Sequence, residues 1–126
     1  MRGDYMSNSI VIQFVSETYD DSPCLYVHWG GRELLDIVKA YINELPKRSK
    51  PGMPLHRQEP TIVMVDFLIY LKNAGYLGTG PVESSYYLYP TSDTCDYSDH
   101  GHYNVKLNGT KNAEIYLQRD TIDMQL

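Results

Sequence analysis

Apolar positions along this chain change period twice, and those changes divide it into elements. Ile10-Val11-Ile12-Gln13-Phe14-Val15 is a run of β-branched and aromatic residues, which predicts a strand. A carboxylate-bearing loop follows from Glu17 to Pro23. Cys24 to His28 then returns as a second strand, expected to pair antiparallel with the first. Alternation along it places Leu25, Val27 and Trp29 on one face and Tyr26 and His28 on the other. From Arg32 the period becomes helical: Leu34, Leu35, Val38, Tyr41, Ile42 and Leu45 recur on one side, with polar residues between them, until Pro46.

Residues 47–60 form a basic, proline- and glycine-interrupted loop carrying Lys47, Arg48, Lys50 and Arg57. Pro60 suits the first turn of a second helix and Gly75 its end. Between them the residues from Ile62 to Leu71 are apolar nearly all round, the pattern of a central helix covered on most sides. Asp66 interrupts that run. A carboxylate there is expected to be paired, with Arg57 a candidate, because leaving it dry and alone is costly. Ser84–Tyr89, Tyr103–Leu107 and Ala113–Gln118 read as three further strands, the last two joined through Asn108-Gly109, the strongest short-range hairpin signal. The order β-β-α-α-β-β-β predicts an α+β domain: an antiparallel sheet of about five strands with two helices packed on one face. Residues 10–119 are expected to form this single domain, with 1–9 a ragged extension and 120–126 a tail.

Composition narrows the function classes. The formal net charge of -5 argues against general nucleic-acid binding, which needs a basic surface. Twelve tyrosines stand against two phenylalanines; tyrosine suits half-buried strands and amphipathic contact surfaces. Cys24 and Cys95 lack the spacing of a zinc or redox motif, and no secretory signal or membrane-length apolar run is present, so a cytoplasmic location with reduced thiols is expected.

Candidate chemistry gathers at two stretches. Leu25-Tyr26-Val27-His28-Trp29-Gly30-Gly31-Arg32 delivers the one tryptophan and an imidazole to a strand-to-helix turn, which makes Tyr26, Trp29 and Arg32 candidate binding residues. Asp93 to Tyr103 offers Asp93, Asp96 and Asp99 as a charged binding surface. Asp99, His100 and His102 have the residue types of a divalent-metal site if residues 100–102 are extended. No spacing there matches a zinc pattern, and turn chemistry alone also favours Asp and Ser. No cofactor is predicted, a divalent metal being the alternative. No catalytic residue is assigned; His28, Asp66 and His100 are the candidates. There is no nucleophile elbow, P-loop or H-E-x-x-H.

Tyr26-Val27-His28-Trp29-Gly30-Gly31, a central helix bearing Asp66, and Asp99-His100-Gly101-His102-Tyr103 together resemble a poorly characterised group of small phage, prophage and mobile-element proteins. The likeness spans roughly residues 10–118. That group's first stretch reads aromatic, then His-Trp-Asp-Gly-Tyr-Pro. Here Gly30 stands in the place of the Asp, and Arg32-Glu33 replaces Tyr-Pro. The resemblance implies a mobile-element accessory protein and no mechanism.

The leading expectation is a non-enzymatic interaction protein, a phage-type accessory factor that binds and inhibits a host or defence protein. It would use tyrosine- and aspartate-rich surface against a basic partner. The rival is a small metal-dependent hydrolase or nucleotide-binding protein built on the His/Asp cluster. A third reading is a ligand sponge in which aromatic rings stack on a base and the Lys47–Arg57 loop meets phosphate. No membrane partner is expected, and an exposed sheet edge leaves a homodimer open.

Overall fold

Six residues, five of them β-branched or aromatic, form β1 (Ile10–Val15), and β2 (Cys24–Val27) folds back on it antiparallel. The structure, a computed structural model, describes residues 9–77, 86–90, 100–107 and 114–117. After β2 the chain turns through Gly30 and Gly31, both at positive φ, where a Cβ would be strained. Helix α1 (Glu33–Glu44) starts there with Glu33 and Asp36 in its first turn, favourably placed against the helix dipole. A 3₁₀ turn over Leu45–Lys47 closes α1 at Pro46. Helix α2 (Pro60–Asn73) opens with proline in its first turn, as expected. It ends in a Schellman motif: Tyr76 N–H reaches Leu71 O, Gly75 N–H reaches Lys72 O, and Gly75 takes the left-handed conformation that the motif requires. Strands β3 (Tyr86–Tyr89), β4 (His102–Lys106) and β5 (Glu114–Leu117) complete the sheet.

The α+β class and the element order are as the sequence predicts, but the sheet is mixed rather than antiparallel. Its order is β3-β2-β1-β4-β5, and β1 pairs parallel with β4, Val11 opposite His102 and Phe14 opposite Val105. The other three pairings are antiparallel. Strands β3 and β4 therefore run the same way, which a hairpin cannot achieve, so the chain between them crosses to the far side of β1.

Both helices pack on one sheet face. Ile10, Ile12 and Phe14 of β1 meet Leu25 and Val27 of β2 on that face, and all five are almost wholly buried. The centre is aromatic. Phe67 of α2 sits edge-on to Phe14 at 5.6 Å and to Tyr41 of α1 at 5.1 Å, so one ring touches both other layers. On the opposite face Val11 and Cys24 are fully buried, with Tyr26 and Tyr89 packed against them. Much of the tyrosine excess is thus sheet packing.

Candidate interaction surface

Strand β3 lies at one edge of the sheet, and α2 packs over β1 on the helix-bearing face. Between them is an apolar groove of about 330 Å³ lined by Leu25, Leu68, Leu77, Tyr86, Tyr87 and Leu88. Leu88 is 50% exposed at its rim. Beside Leu68 on α2, the stripe Ile62, Val65 and Ile69 faces away from the sheet; Val65 is 56% exposed. An all-round apolar helix was expected to be covered on most sides. Val63, Met64, Phe67 and Leu71 do face the core, but the outward stripe faces solvent. The signal for this surface was present in the all-round pattern, which looks the same for a covered helix and for one awaiting a partner.

Trp29 borders this surface as a fixed post. Its indole stacks on Tyr76 at 5.7 Å and donates from Nε1 to Tyr86 Oη at 2.6 Å; Tyr86 Oη in turn donates to Tyr76 O. Burial raises the Tyr86 phenol above its ordinary range, against the lowering effect of the indole donor. Trp29 therefore ties β3 and the segment after α2 to the strand-to-helix turn, a structural anchor that meets the groove through Tyr86. Tyr26 points to the other face of the sheet, beside the exposed His28 at 5.4 Å and Tyr87 at 5.9 Å. Arg32 is exposed at the start of α1. The structure thus separates Trp29 from Tyr26 by a sheet.

Asp66 is engaged away from the groove. Arg48 grips it with two bonds, Nε to Oδ2 at 2.6 Å and Nη2 to Oδ1 at 2.9 Å, and Tyr41 Oη donates to Oδ2 at 2.9 Å. The expected partner Arg57 instead bonds Glu59. The Arg48 guanidinium also lies 5.7 Å from the Tyr41 ring centre and 5.6 Å from that of Tyr70. This is a bidentate, ring-flanked ion pair holding the loop after α1 onto α2.

Burial, then the charge of Asp66 and the bond donated to it, raise the Tyr41 phenol well above its ordinary range. Because the folded chain keeps this proton when the unfolded chain has lost it, stability contributed by Tyr41 is complete below about pH 10 and drains away as pH rises beyond it. In urea titrations between about pH 9 and 11, the wild type is expected to lose stability more steeply than Tyr41→Phe, by up to about 1.4 kcal/mol per pH unit. Parallel slopes would refute the buried phenol.

The histidine cluster is only partly assembled. His102 is buried on β4, with Nε2 3.1 Å from Gln13 Oε1, while the His100 N–H donates to Ser9 O. Gly101 between them has φ 92°, so the extended run that would aim both imidazoles one way is broken. Among the described residues no three His, Cys, Asp or Glu side chains are grouped to hold a metal ion. Asp93, Asp96, Asp99 and Cys95 lie outside the described residues, as do the expected turn at Asn108-Gly109, the expected tail over 120–126 and all of the expected N-terminal extension but Ser9. No helix among the described residues is long and apolar enough to cross a membrane. No protein-family model, curated protein or solved structure matches the chain.

Proposed function

We propose that this protein is a non-enzymatic interaction module that engages a partner protein through the α2–β3 face, in the manner of a mobile-element factor that binds and inhibits a host or defence protein. One observation carries the reading: an apolar groove at a sheet edge is lined by Leu68 of α2 and by Leu88 of β3, half exposed, and the neighbouring stripe on α2 leaves Val65 more than half exposed. Folding alone gains nothing from leaving such side chains in water, whereas a partner that covers them gains roughly 25 cal/mol per Å² of apolar area. The anchored Trp29–Tyr76–Tyr86 post would give the surface a rigid aromatic rim, the kind of group that dominates interface energetics. The net charge of -5 favours a basic partner and speeds its approach.

The test is to recover partners from a host lysate, identify them, and measure affinity of the purified pair. Leu88→Lys and Val65→Glu change exposed positions, so both variants should keep the wild-type melting temperature. Each is expected to weaken the complex at least about tenfold, the scale of a burial loss above 1.4 kcal/mol. Affinity unchanged in both variants would sink this face as the binding surface. Replacing Asp93, Asp96 and Asp99 by alanine measures the charged component separately.

A further inference from the structure

The outer edge of β3 joins the apolar groove to the opposite face of the sheet. β3 pairs antiparallel with β2 and, among the described residues, has no strand on its other side. In such a pair every second residue turns its N–H and C=O away from the neighbour, so the edge presents backbone donors and acceptors outward. Edge strands are ordinarily blunted by charge, proline or a bulge. β3 reads Tyr-Tyr-Leu-Tyr in unbroken register and has none of these, whereas β5 at the other edge carries Glu114. The Trp29–Tyr86 bond fixes the start of β3, so the edge is held in place before anything pairs with it.

The two faces beside this edge differ in chemistry. Leu88 lies opposite Leu25 and Tyr86 opposite Val27, on the face of the groove; Tyr87 lies opposite Tyr26, on the other face. There the Tyr26 ring is 5.9 Å from Tyr87, 6.3 Å from Tyr89 and 5.4 Å from the exposed His28, and Tyr87 is 39% exposed. A strand laid against β3 continues the alternation, with every second side chain over the groove and the others beside the tyrosines.

Each face selects a residue type. The groove lining holds no charged side chain, so it takes apolar groups. All the large apolar side chains exposed among the described residues, Met53 apart, lie on α2, just after it, or on β3, which gives those groups a broad surface to cover. Tyrosine faces attract cations, arginine above all because its planar guanidinium stacks on a ring. This chain already does so internally, with Arg48 5.7 Å from the Tyr41 ring centre and 5.6 Å from that of Tyr70. A net charge of -5 also favours a cationic occupant. A second copy of the chain fits less well, since it brings the same uncharged β3 and the same negative charge.

We propose, resting on the α2–β3 face as the partner surface, that β3 accepts an extended segment of a basic partner protein as a sixth strand. Apolar side chains of that segment enter the groove and alternate with arginines that stack on the Tyr26–Tyr87 side. Main-chain pairing supplies affinity, and the alternation of apolar and cationic residues supplies specificity.

The test measures binding of short fluorescent peptides to the full-length protein by anisotropy. A peptide alternating valine with arginine is expected to bind; one of the same composition with its valines and arginines in separate blocks should bind at least about tenfold more weakly. N-methylation of every second residue removes the N–H groups from one side of a strand. In one phase it should cost at least about tenfold, in the other less than about threefold. Leu88→Lys should lose at least about tenfold, and Tyr87→Ala, at an exposed position, about fivefold with the melting temperature kept. No binding of the alternating peptide up to about 1 mM, equal affinity of the blocked peptide, or equal losses in the two N-methyl phases each overturn the proposal. Sedimentation should find the protein alone monomeric; a dimer that Leu88→Lys breaks would give the edge to a second copy and overturn it as well. A partner complex sensitive to Leu88→Lys and Val65→Glu, beside equal N-methyl losses, would keep the face and remove strand addition alone. An insensitive complex beside phase-dependent peptide binding would do the reverse.

Discussion

Replacing Phe67 by alanine is expected to lower the unfolding free energy by about 3–5 kcal/mol, the largest effect of any single truncation on this fold. The ring is fully buried and bridges layers, touching Phe14 of the sheet, Tyr41 of α1 and, stacked at 6.4 Å, Tyr70 of its own helix. Alanine removes the transferred apolar area and leaves a cavity bounded by rings on both other layers, which cannot collapse without moving a helix. Edge-to-face geometry adds about 0.5–1.5 kcal/mol per aromatic pair beyond burial. Against the roughly 5–15 kcal/mol that holds a domain together, this loss is a large fraction. Urea titration of Phe67→Ala beside Phe67→Leu checks it: leucine should recover most of the loss, and an alanine cost below about 1 kcal/mol would mean that the ring is not where the layers meet.

The second large effect is expected at Asp66. Asp66→Asn keeps the shape but removes the charge that Arg48 grips twice and that Tyr41 Oη bonds. The two side chains are 25% and 17% exposed, so the penalty is well below that of a fully dry pair; about 1.5–3 kcal/mol is the reasonable scale. Arg48 would then be left with only the faces of Tyr41 and Tyr70 to offset its charge. Adding Arg48→Met to Asp66→Asn removes that stranded charge, so the double variant should be more stable than the sum of the singles predicts. Strict additivity in chemical denaturation would show that the pair is not coupled.

Local signals made much of the fold legible. Pro60 and Gly75 bracket α2, Pro46 closes α1, and the β-branched run at Ile10–Val15 is a strand, because each signal is set by a residue's own backbone preference or by spacing within a few turns. The parallel β1–β4 pairing was not legible. It joins Val11 to His102 across most of the chain, and no local residue preference records which side of β1 a later strand will take. The partner of Asp66 was legible in kind but not in identity. Arg48 and Arg57 sit in the same basic loop, and the turn at residues 54–59 directs Arg57 to Glu59, leaving Arg48 to reach α2. The extended run expected over residues 100–102 is interrupted at Gly101, whose positive φ breaks the alternation. The left-handed backbone of Gln58, at φ 58°, left no trace in the sequence, since glutamine is not a residue that left-handed backbone selects. The exposed stripe on α2 is visible in the sequence as apolar character, but that character is the same for a covered face and an exposed one.

The parallel pair at the centre of the sheet also governs the order in which the chain can fold. Strands β1 and β2 meet through a short loop and can pair early, but the second edge of β1 stays open until β4 is present. During synthesis, most of the chain must emerge before that edge is capped, and closing so long a loop delays the contact that completes the core. Ile10–Val15, the most apolar strand in the protein, is the one exposed for that interval. Nascent and truncated chains ending before His102 thus carry an uncapped, aggregation-prone edge, and the burden of keeping this small protein soluble falls on the time before β4 arrives.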